Sequence, residues 1–275
     1  MTPITSPNNP KLKALRNLTR ARERARTGLF VAEGEDLVRA AHAAGREPVY
    51  GFRAPGVELD APSFEELAPE LLAGVSTLGS GTRAIGVYEQ RFGQAQGPLC
   101  VYLHGVGDPG NVGTILRGAL AFGASSVVLG PGCADPHSPK AVRASMGAIF
   151  AVPIARVERA EQLPGERVAL VAHAGEPLTQ LRPVGDVTLL VGAEREGLPD
   201  EVIAVCEHVA HIPIAGESLN AAMAATVALY ETTRRRLTEE GLAGAGETLA
   251  SGSHPRSGQP ASGRLRHPLG RVSTS

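Results

Sequence analysis

The pattern of apolar and polar positions is most regular from Leu99 onwards. Apolar runs recur there, and their near-continuous hydrophobicity predicts strands that are buried on both faces. Segments with helical periodicity lie between or after most of them. The predicted strands occupy 99–104, 125–129, 149–154, 168–173, 187–192 and 208–213, and the predicted helices about 111–122, 139–147, 199–205 and 218–237. This alternation indicates an α/β domain with a mostly parallel sheet.

The first 92 residues carry a shorter pattern of the same kind. A basic helix is predicted over residues 10–26, with Pro10 suited to its first turn and Gly28 just past its end. Further helices are predicted at 35–44 and 64–73, and strands at 29–32, 49–52 and 84–88. These elements predict a small α/β domain that precedes the larger one.

Composition sets the domain boundaries. Residues 93–98 are polar and glycine-rich, which is typical of a linker, and beyond Glu240 glycine, serine, proline and arginine dominate. We therefore expect a small N-terminal domain at 1–92, a second domain at 97–240 and a disordered tail at 241–275.

Charge and cysteine content narrow the class of protein. The 275 residues carry a formal net charge of −1, so no bulk polyelectrolyte behaviour is implied. The three cysteines, Cys100, Cys133 and Cys206, form no CxxC pair, which favours reduced thiols. No apolar leader or membrane-length run is present, so we expect a cytoplasmic protein with no membrane partner.

The start of the chain is locally basic despite the neutral balance. Such a helix can meet phosphates, and the equally weighted alternative is a solvated helix face. The basic residues are Lys11, Lys13, Arg16, Arg20, Arg22, Arg24 and Arg26, opposed only by Glu23. A second basic pair, Lys140 and Arg143, shares one helix face and has the same two interpretations.

A first candidate site lies in the glycine-rich entry to the helix at 111–122. Asp108 or Asn111 can cap this helix. Arg117 follows two turns later among apolar residues, where a guanidinium is costly unless it meets an anion. It either faces a substrate oxygen or forms a structural ion pair with a residue such as Glu194.

Two further candidate sites follow buried strands. Gly192 and Glu194 stand at the carboxyl end of a predicted strand, where open α/β sheets bind ligands. Ser218 is a good N-cap for the last helix, and Asn220 in its first turn can face the same crevice. Each residue also has a purely structural alternative. Glu194 can be a turn residue that caps the following helix, and Ser218 can be an ordinary N-cap. The sequence has no P-loop, no GxSxG elbow and no histidine spacing typical of a metal site, so no metal is expected.

Taken together, these segments resemble the three motifs of the SpoU (TrmH-type) RNA 2′-O-ribose methyltransferases of the SPOUT superfamily. The matching segments are 111–117, then 191–194 with 197–199, then 212–214 with 218–220. The resemblance covers about residues 97–240. The beginning of the chain, with Ile4, Thr5, Ser6, Asn9, Pro10, Lys13 and 30–34, is similar to the family's small substrate-binding domain.

The resemblance implies a fold, a cofactor and partners. It implies a C-terminal deep trefoil knot, a rare exception to unknotted topology. It also implies S-adenosylmethionine as cofactor, a homodimer, and rRNA or tRNA as substrate. By motif matching, Gly192, Ile212 and Leu219 contact the cofactor, and Arg143 with the basic helix (Lys11, Lys13, Arg16) contacts RNA. The reaction centre is then lined by Asn111, Arg117, Glu194, Ser218 and Asn220.

The expected chemistry assigns roles within this set. A ribose hydroxyl is a poor nucleophile, so its proton must leave or its developing charge must be stabilised. Because a guanidinium stays protonated in proteins, we expect Arg117 to stabilise charge rather than to act as the base. Arg195 stands where the family commonly has glycine, and the loop before Ser218 is shorter than in many relatives.

Two other functions fit the same residues. The first is an RNA-binding protein of this fold that has lost catalysis, although binding alone would not need Arg117, Glu194, Ser218 and Asn220 together. The second is a methyltransferase that acts on a base. Cofactor binding separates the first from an enzyme, and the position of the methyl group separates the second.

Overall fold

The computed structural model describes residue 4 and residues 6–59, 63–77 and 81–250. Beyond residue 238 it describes only the course of the backbone. Met1–Arg235 forms one compact unit. The last helix extends to Ala250, ten residues into the segment expected to form the tail, whose bounds stay a prediction. Residues 251–275 lie outside the described residues.

A four-stranded sheet organises the N-terminal part. Its strands are β1 (Leu29–Glu33), β2 (Tyr50–Arg53), β3 (Phe64–Glu66) and β4 (Ala84–Glu89), in the order β1-β4-β2-β3. Its helices are α1 (Pro10–Asn17), α2 (Ala21–Thr27), α3 (Glu35–Ala43) and α4 (Pro69–Val75). Successive strand residues face opposite sides of a sheet, and β1 follows that rule. Val31 packs with Leu12 of α1 and Leu72 of α4, whereas Phe30 and Ala32 pack against the second sheet's domain.

Two predicted elements of this part differ in the structure. The basic helix breaks into α1 and α2 around the buried Leu18. The side chain of Arg24 donates to the carbonyl oxygens of Leu18 and Thr19, 2.9 Å each, which the break leaves free. The predicted helix at 64–73 is strand β3 followed by α4, which begins at Pro69 because proline suits a first turn.

The second sheet has seven strands, all paired in parallel. In chain order they are β5 (Leu99–Leu103), β6 (Ser126–Leu129), β7 (Ile154–Arg156), β8 (Glu166–Leu170), β9 (Glu176–Pro177), β10 (Val187–Val191) and β11 (His208–His211). Their spatial order is β7-β6-β5-β10-β8-β11-β9. The helices are α5 (Pro109–Ala121), α6 (Pro139–Ala144), α7 (Ala148–Ala151), α8 (Asp200–Ile203) and α9 (Ala221–Ala250). The α/β class with a mostly parallel sheet is confirmed.

One strand prediction in this domain is wrong in position. Residues 148–151 form α7, which starts after the left-handed Gly147, and strand β7 follows at Ile154–Arg156. A short buried apolar run does not distinguish helix from strand, so periodicity misplaced this element.

The register of four neighbouring strands aligns their carboxyl ends. Val191 pairs with Leu103, Leu103 with Leu129, and Leu129 with Arg156. The residues that follow these four positions therefore leave the sheet along one edge. Ligands of open parallel sheets bind at such an edge.

The face between the two sheets is closed by aromatic rings and one buried ion pair. Phe150 of α7 lies 5.8 Å from Phe30 and 4.8 Å from Tyr88, measured between ring centroids. Arg24, only 3% exposed, places its Nη2 2.7 Å from the Asp135 carboxylate across this face. The imidazole of His137 lies 4.8 Å from the ring of Phe30, measured between ring centroids. The buried charge of Arg24 is thus matched by a carboxylate and two carbonyls.

Candidate functional site

A cavity of about 340 Å³ opens at the carboxyl ends of β8 and β10, beside the start of α9. Pockets of this size are typical of small-molecule and cofactor sites. Five residues predicted from the sequence line it, namely Gly192, Glu194, Ile212, Ser218 and Leu219. The structure therefore brings together the three residues predicted to contact a cofactor.

The turn after β10 forms one wall of the cavity. Ala193 and Gly197 exchange both backbone hydrogen bonds, 3.1 and 3.0 Å, and close a tight loop. A Cβ on the buried Gly192 would overlap the backbone of Gly197 and Leu198, so the closure requires glycine at this position. Arg195 lies exposed at the tip of the loop. Its backbone φ is not positive, so an arginine fits there without obstructing the turn.

A chain of polar side chains lies at the mouth of the cavity. The Asn220 amide donates to Oδ1 of Asn111 over 3.1 Å, and the Asn111 amide donates in turn to the carboxylate of Glu194. These three residues come from three separate segments of the chain. We call them the polar triad.

The caps of the neighbouring helices fix this triad. Asp108 caps α5 by accepting from the backbone N–H of Asn111 over 3.0 Å, and this leaves the Asn111 side chain free for Glu194. Asn220, not Ser218, caps α9, since its Oδ1 accepts from the N–H of Ala222 over 2.9 Å. Both residue types are good caps, so the local rule did not choose between them. Ser218 instead lies exposed on the cavity wall.

Lys140 keeps the cap of α5 ionised. Its ammonium lies 2.6 Å from Asp108, and this hydrogen bond, with that of the Asn111 N–H, holds the pKa of the Asp108 carboxyl below its usual range. Lys140 is therefore paired with Asp108 on an exposed face, and a phosphate contact there stays a prediction. An ionised Asp108 accepts most strongly at the positive end of α5.

Arg117 stands apart from the triad within its own chain. It lies six residues after Asn111, about 9 Å further along the axis of α5. Its side chain is exposed, and in the described part of the chain no carboxylate lies within 4 Å of it. The described residues therefore show no ion pair between Arg117 and Glu194, whose carboxylate accepts from Asn111 instead.

The exposed side of α5 continues into an apolar face of α9. Leu120 is 48% exposed, and Met223, Val227 and Tyr230 on α9 are exposed at helical spacing. The ring of Tyr230 lies 5.9 Å from that of Phe122 at the end of α5, so the two surfaces adjoin. We call Leu120, Met223, Val227 and Tyr230 the helical face.

The residues predicted to bind RNA lie outside the cavity. Lys13 and Arg16 are exposed on α1, and Lys11 pairs with Glu65. This helix covers the side of the N-terminal sheet that faces away from the second sheet. Arg143 of α6 is exposed and donates to Thr77 Oγ1 over 3.1 Å. None of these four residues is therefore among those that line the cavity.

Sequence reasoning missed one side of the cavity. Leu170, Val171 and Ala172, at the carboxyl end of β8, line it with Ala221 and Ala224 of α9. The apolar run at 168–173 could have indicated this wall of the cavity. That inference, however, requires knowing that β8 lies beside β10. Within the described residues no group of three potential ligands could hold a metal, and no helix is long and apolar enough to cross a membrane.

Both parts of the chain match families of known proteins. A profile described as the SpoU rRNA Methylase family matches residues 98–230. A second profile, described as an MRM3-like substrate binding domain, matches residues 9–90. The two matches correspond to the two sheets.

Individual relatives are similar over most of the chain. An uncharacterised tRNA/rRNA methyltransferase of Synechocystis is 31% identical, over 85% of this chain and 94% of the relative. The 23S rRNA (uridine(2479)-2′-O)-methyltransferase of Streptomyces viridochromogenes is 32% identical over 67% of each chain. The crystal structure of an AdoMet-bound rRNA methyltransferase from Sinorhizobium meliloti has a TM-score of 0.77 and 33% identity, over 86% of this chain and 98% of that one.

Proposed function

Because the chain belongs to the SpoU rRNA methylase family, we propose that it transfers a methyl group to a ribose 2′-hydroxyl of rRNA or tRNA. The observation that carries the proposal is the polar triad at the mouth of the cavity. One carboxylate and two amides there stand beside a pocket of cofactor size.

The cavity fits S-adenosylmethionine, which supplies an activated methyl group when bound. Its walls include apolar side chains such as Leu170, Ile212 and Leu219 and the backbone of the turn at Gly192. Gly192, Ile212 and Leu219 would hold the cofactor. A relative of this chain is described as AdoMet-bound, which supports the same assignment.

The triad supplies the proton chemistry. Glu194 is its only carboxylate, and one of its oxygens accepts from Asn111. The other oxygen is available to accept the hydrogen bond of the 2′-hydroxyl and then its proton. Asn220 holds Asn111, and Ser218 on the cavity wall helps to position the hydroxyl.

A homodimer completes the site in this proposal. The helical face exposes an apolar strip that a second copy of the chain would cover, and Arg117 borders it. Arg117 of the partner subunit would then bind the phosphate next to the reacting ribose and stabilise developing charge. We also propose that the chain is knotted as in the family, and β10 between β5 and β8 is consistent with this.

Nucleoside analysis tests the proposed function. The protein is incubated with S-adenosylmethionine and unmodified ribosomal or transfer RNA, and the RNA is digested for mass spectrometry. We expect a methyl group on ribose. A methyl group on a base would establish the base-methylating alternative. No cofactor binding by calorimetry, together with no methyl transfer, would support the inactive RNA-binding protein.

A further inference from the structure

A basic and aromatic patch lies at the junction of the two sheets, outside the cavity. Phe92 is 41% exposed, and the guanidinium carbon of Arg156 stands 4.7 Å from the centre of its ring. Arg91 is exposed next to it in sequence. We call Arg91, Phe92 and Arg156 the junction patch.

The cations of this patch are available for a ligand. In the described ranges no carboxylate lies within 4 Å of Arg91 or Arg156, whereas nearby Arg159 is paired with Glu161 at 2.8 Å. An unpaired guanidinium over an aromatic ring presents a flat cationic surface. Unpaired bases stack on such aromatic and guanidinium planes.

Packing fixes the ring in its position. The following residue, Gly93, donates its N–H to the carbonyl of Ile154 over 2.8 Å, which ties the segment to the edge of β7. The buried His137 imidazole meets the ring of Phe92 at 5.2 Å and 85°. An aromatic side chain that is held in place but remains partly exposed loses little entropy on binding.

The junction patch lies at the carboxyl ends of the strands of the second sheet, as the polar triad does. Arg156 ends β7 and is aligned through Leu129 and Leu103 with Val191, three residues before Glu194. Three strand spacings separate Arg156 from Val191, a distance of about 14 Å. A single RNA strand a few nucleotides long spans such a distance.

We propose that the junction patch stacks an unpaired base of the substrate RNA, close in sequence to the nucleotide whose ribose lies at the triad. This inference rests on the proposed function, because it takes RNA as the substrate. It adds a contact that selects RNA whose target lies in a single-stranded loop or bulge.

A single tryptophan tests the stacking directly. The chain contains no tryptophan, so Phe92→Trp introduces one fluorophore, and stacking with a base should quench its emission. The matched control is Val184→Trp, at a 79% exposed position before β10, on the opposite edge of the sheet. Partially hydrolysed ribosomal RNA is the probe, and inorganic polyphosphate is the anion without bases.

We expect RNA to quench Phe92→Trp, and polyphosphate to leave it unchanged. Val184→Trp should respond to neither. Equal quenching of both variants by RNA, or no quenching at RNA concentrations that saturate filter binding, would overturn the proposal. So would a failure of the protein to bind any of the RNA.

Binding by matched variants gives a second readout that tolerates a poorly folded tryptophan variant. Phe92→Leu keeps apolar bulk but cannot stack, and Arg156→Gln removes the cation. Each should weaken RNA binding about tenfold and leave S-adenosylmethionine binding unchanged. Arg159→Gln is the control and should bind RNA as the wild type does, while wild-type RNA affinity in Phe92→Leu would overturn the proposal.

The outcomes separate this inference from the proposed function. If ribose methylation occurs but Phe92→Trp is not quenched, only the stacking proposal fails. If Phe92→Trp is quenched but no ribose is methylated, the patch stands as an RNA site and the proposed function fails.

Discussion

Arg24 and Arg117 show the same side chain in two opposite environments. Arg24 is 3% exposed and donates to Asp135 and to the carbonyls of Leu18 and Thr19. Arg117 is exposed, and among the described residues it has no carboxylate partner. The first guanidinium is fully hydrogen-bonded within its own chain, whereas the second has no carboxylate partner in the described part of the chain.

In this fold, the arginine that stabilises the structure and the arginine that is available to an anion are different residues. A buried charge must be neutralised where it lies, so Arg24 holds the two sheets together and binds nothing else. An exposed, unpaired charge contributes little to stability and remains available for an anion. Glu194 and Asn220 of the triad are likewise exposed, and each is hydrogen-bonded to Asn111.

The largest effect is expected when Arg24, the buried arginine of the two, is replaced. Arg24→Met leaves Asp135 without its cation, and the loss of one partner of a buried pair costs about 3–5 kcal/mol. Because the Asp135 side chain is 28% exposed, we expect the lower end, about 3 kcal/mol of unfolding free energy, in urea denaturation. Arg26→Met, on the exposed side of α2, should stay within about 0.5 kcal/mol. Equal stability of both variants would contradict the structural role of Arg24.

A pH profile tests the same buried face. Burial lowers the pKa of His137 from 6.5 to about 4, although the negative charge of Asp135 acts to raise it. Between these values the unfolded chain binds more protons, so stability falls as pH drops from about 6.5 to 4, by up to roughly 3 kcal/mol. His137→Phe should flatten this part of the profile, as measured by denaturation at each pH. Profiles of equal slope would rule out His137 as the cause.

A smaller effect is expected at the cavity wall. In Gly192→Ala, the new Cβ must displace the backbone of Gly197 and Leu198, and such overpacking costs about 1–3 kcal/mol. S-adenosylmethionine affinity should fall at least about tenfold by calorimetry. The control is Gly74→Ala in α4, where the added Cβ meets nothing within 4 Å. Unchanged affinity in Gly192→Ala would argue against this wall as the cofactor site.

The smallest effect on stability separates the two roles of Asn220. Asn220→Asp keeps the oxygen that caps α9 but loses the amide that donates to Asn111, so stability should hold while methyl transfer falls. Asn220→Ala loses both, and its unfolding free energy should drop by about 1 kcal/mol. Denaturation and rate assays on both variants check this, and full activity in Asn220→Asp would remove the amide from the mechanism.

Sequence reasoning found those parts of the site that depend on local order. Gly192, Glu194 and Asn220 follow strands or precede helices, and such positions are visible in the apolar pattern. Leu170–Ala172 were missed because strand neighbours are decided by long-range packing. Arg24 looked like one more surface charge, since only tertiary structure places it against Asp135.

The central claim is that a reaction centre forms from the triad of one subunit and Arg117 of the partner subunit. Mixing two inactive variants, Arg117→Ala and Glu194→Ala, tests it most directly. If sites are shared across a twofold dimer, subunit exchange should restore methyl transfer to about 25% of the wild-type rate, because half of the dimers then carry one complete site. If each chain uses its own Arg117, the mixture will stay inactive and the account is contradicted.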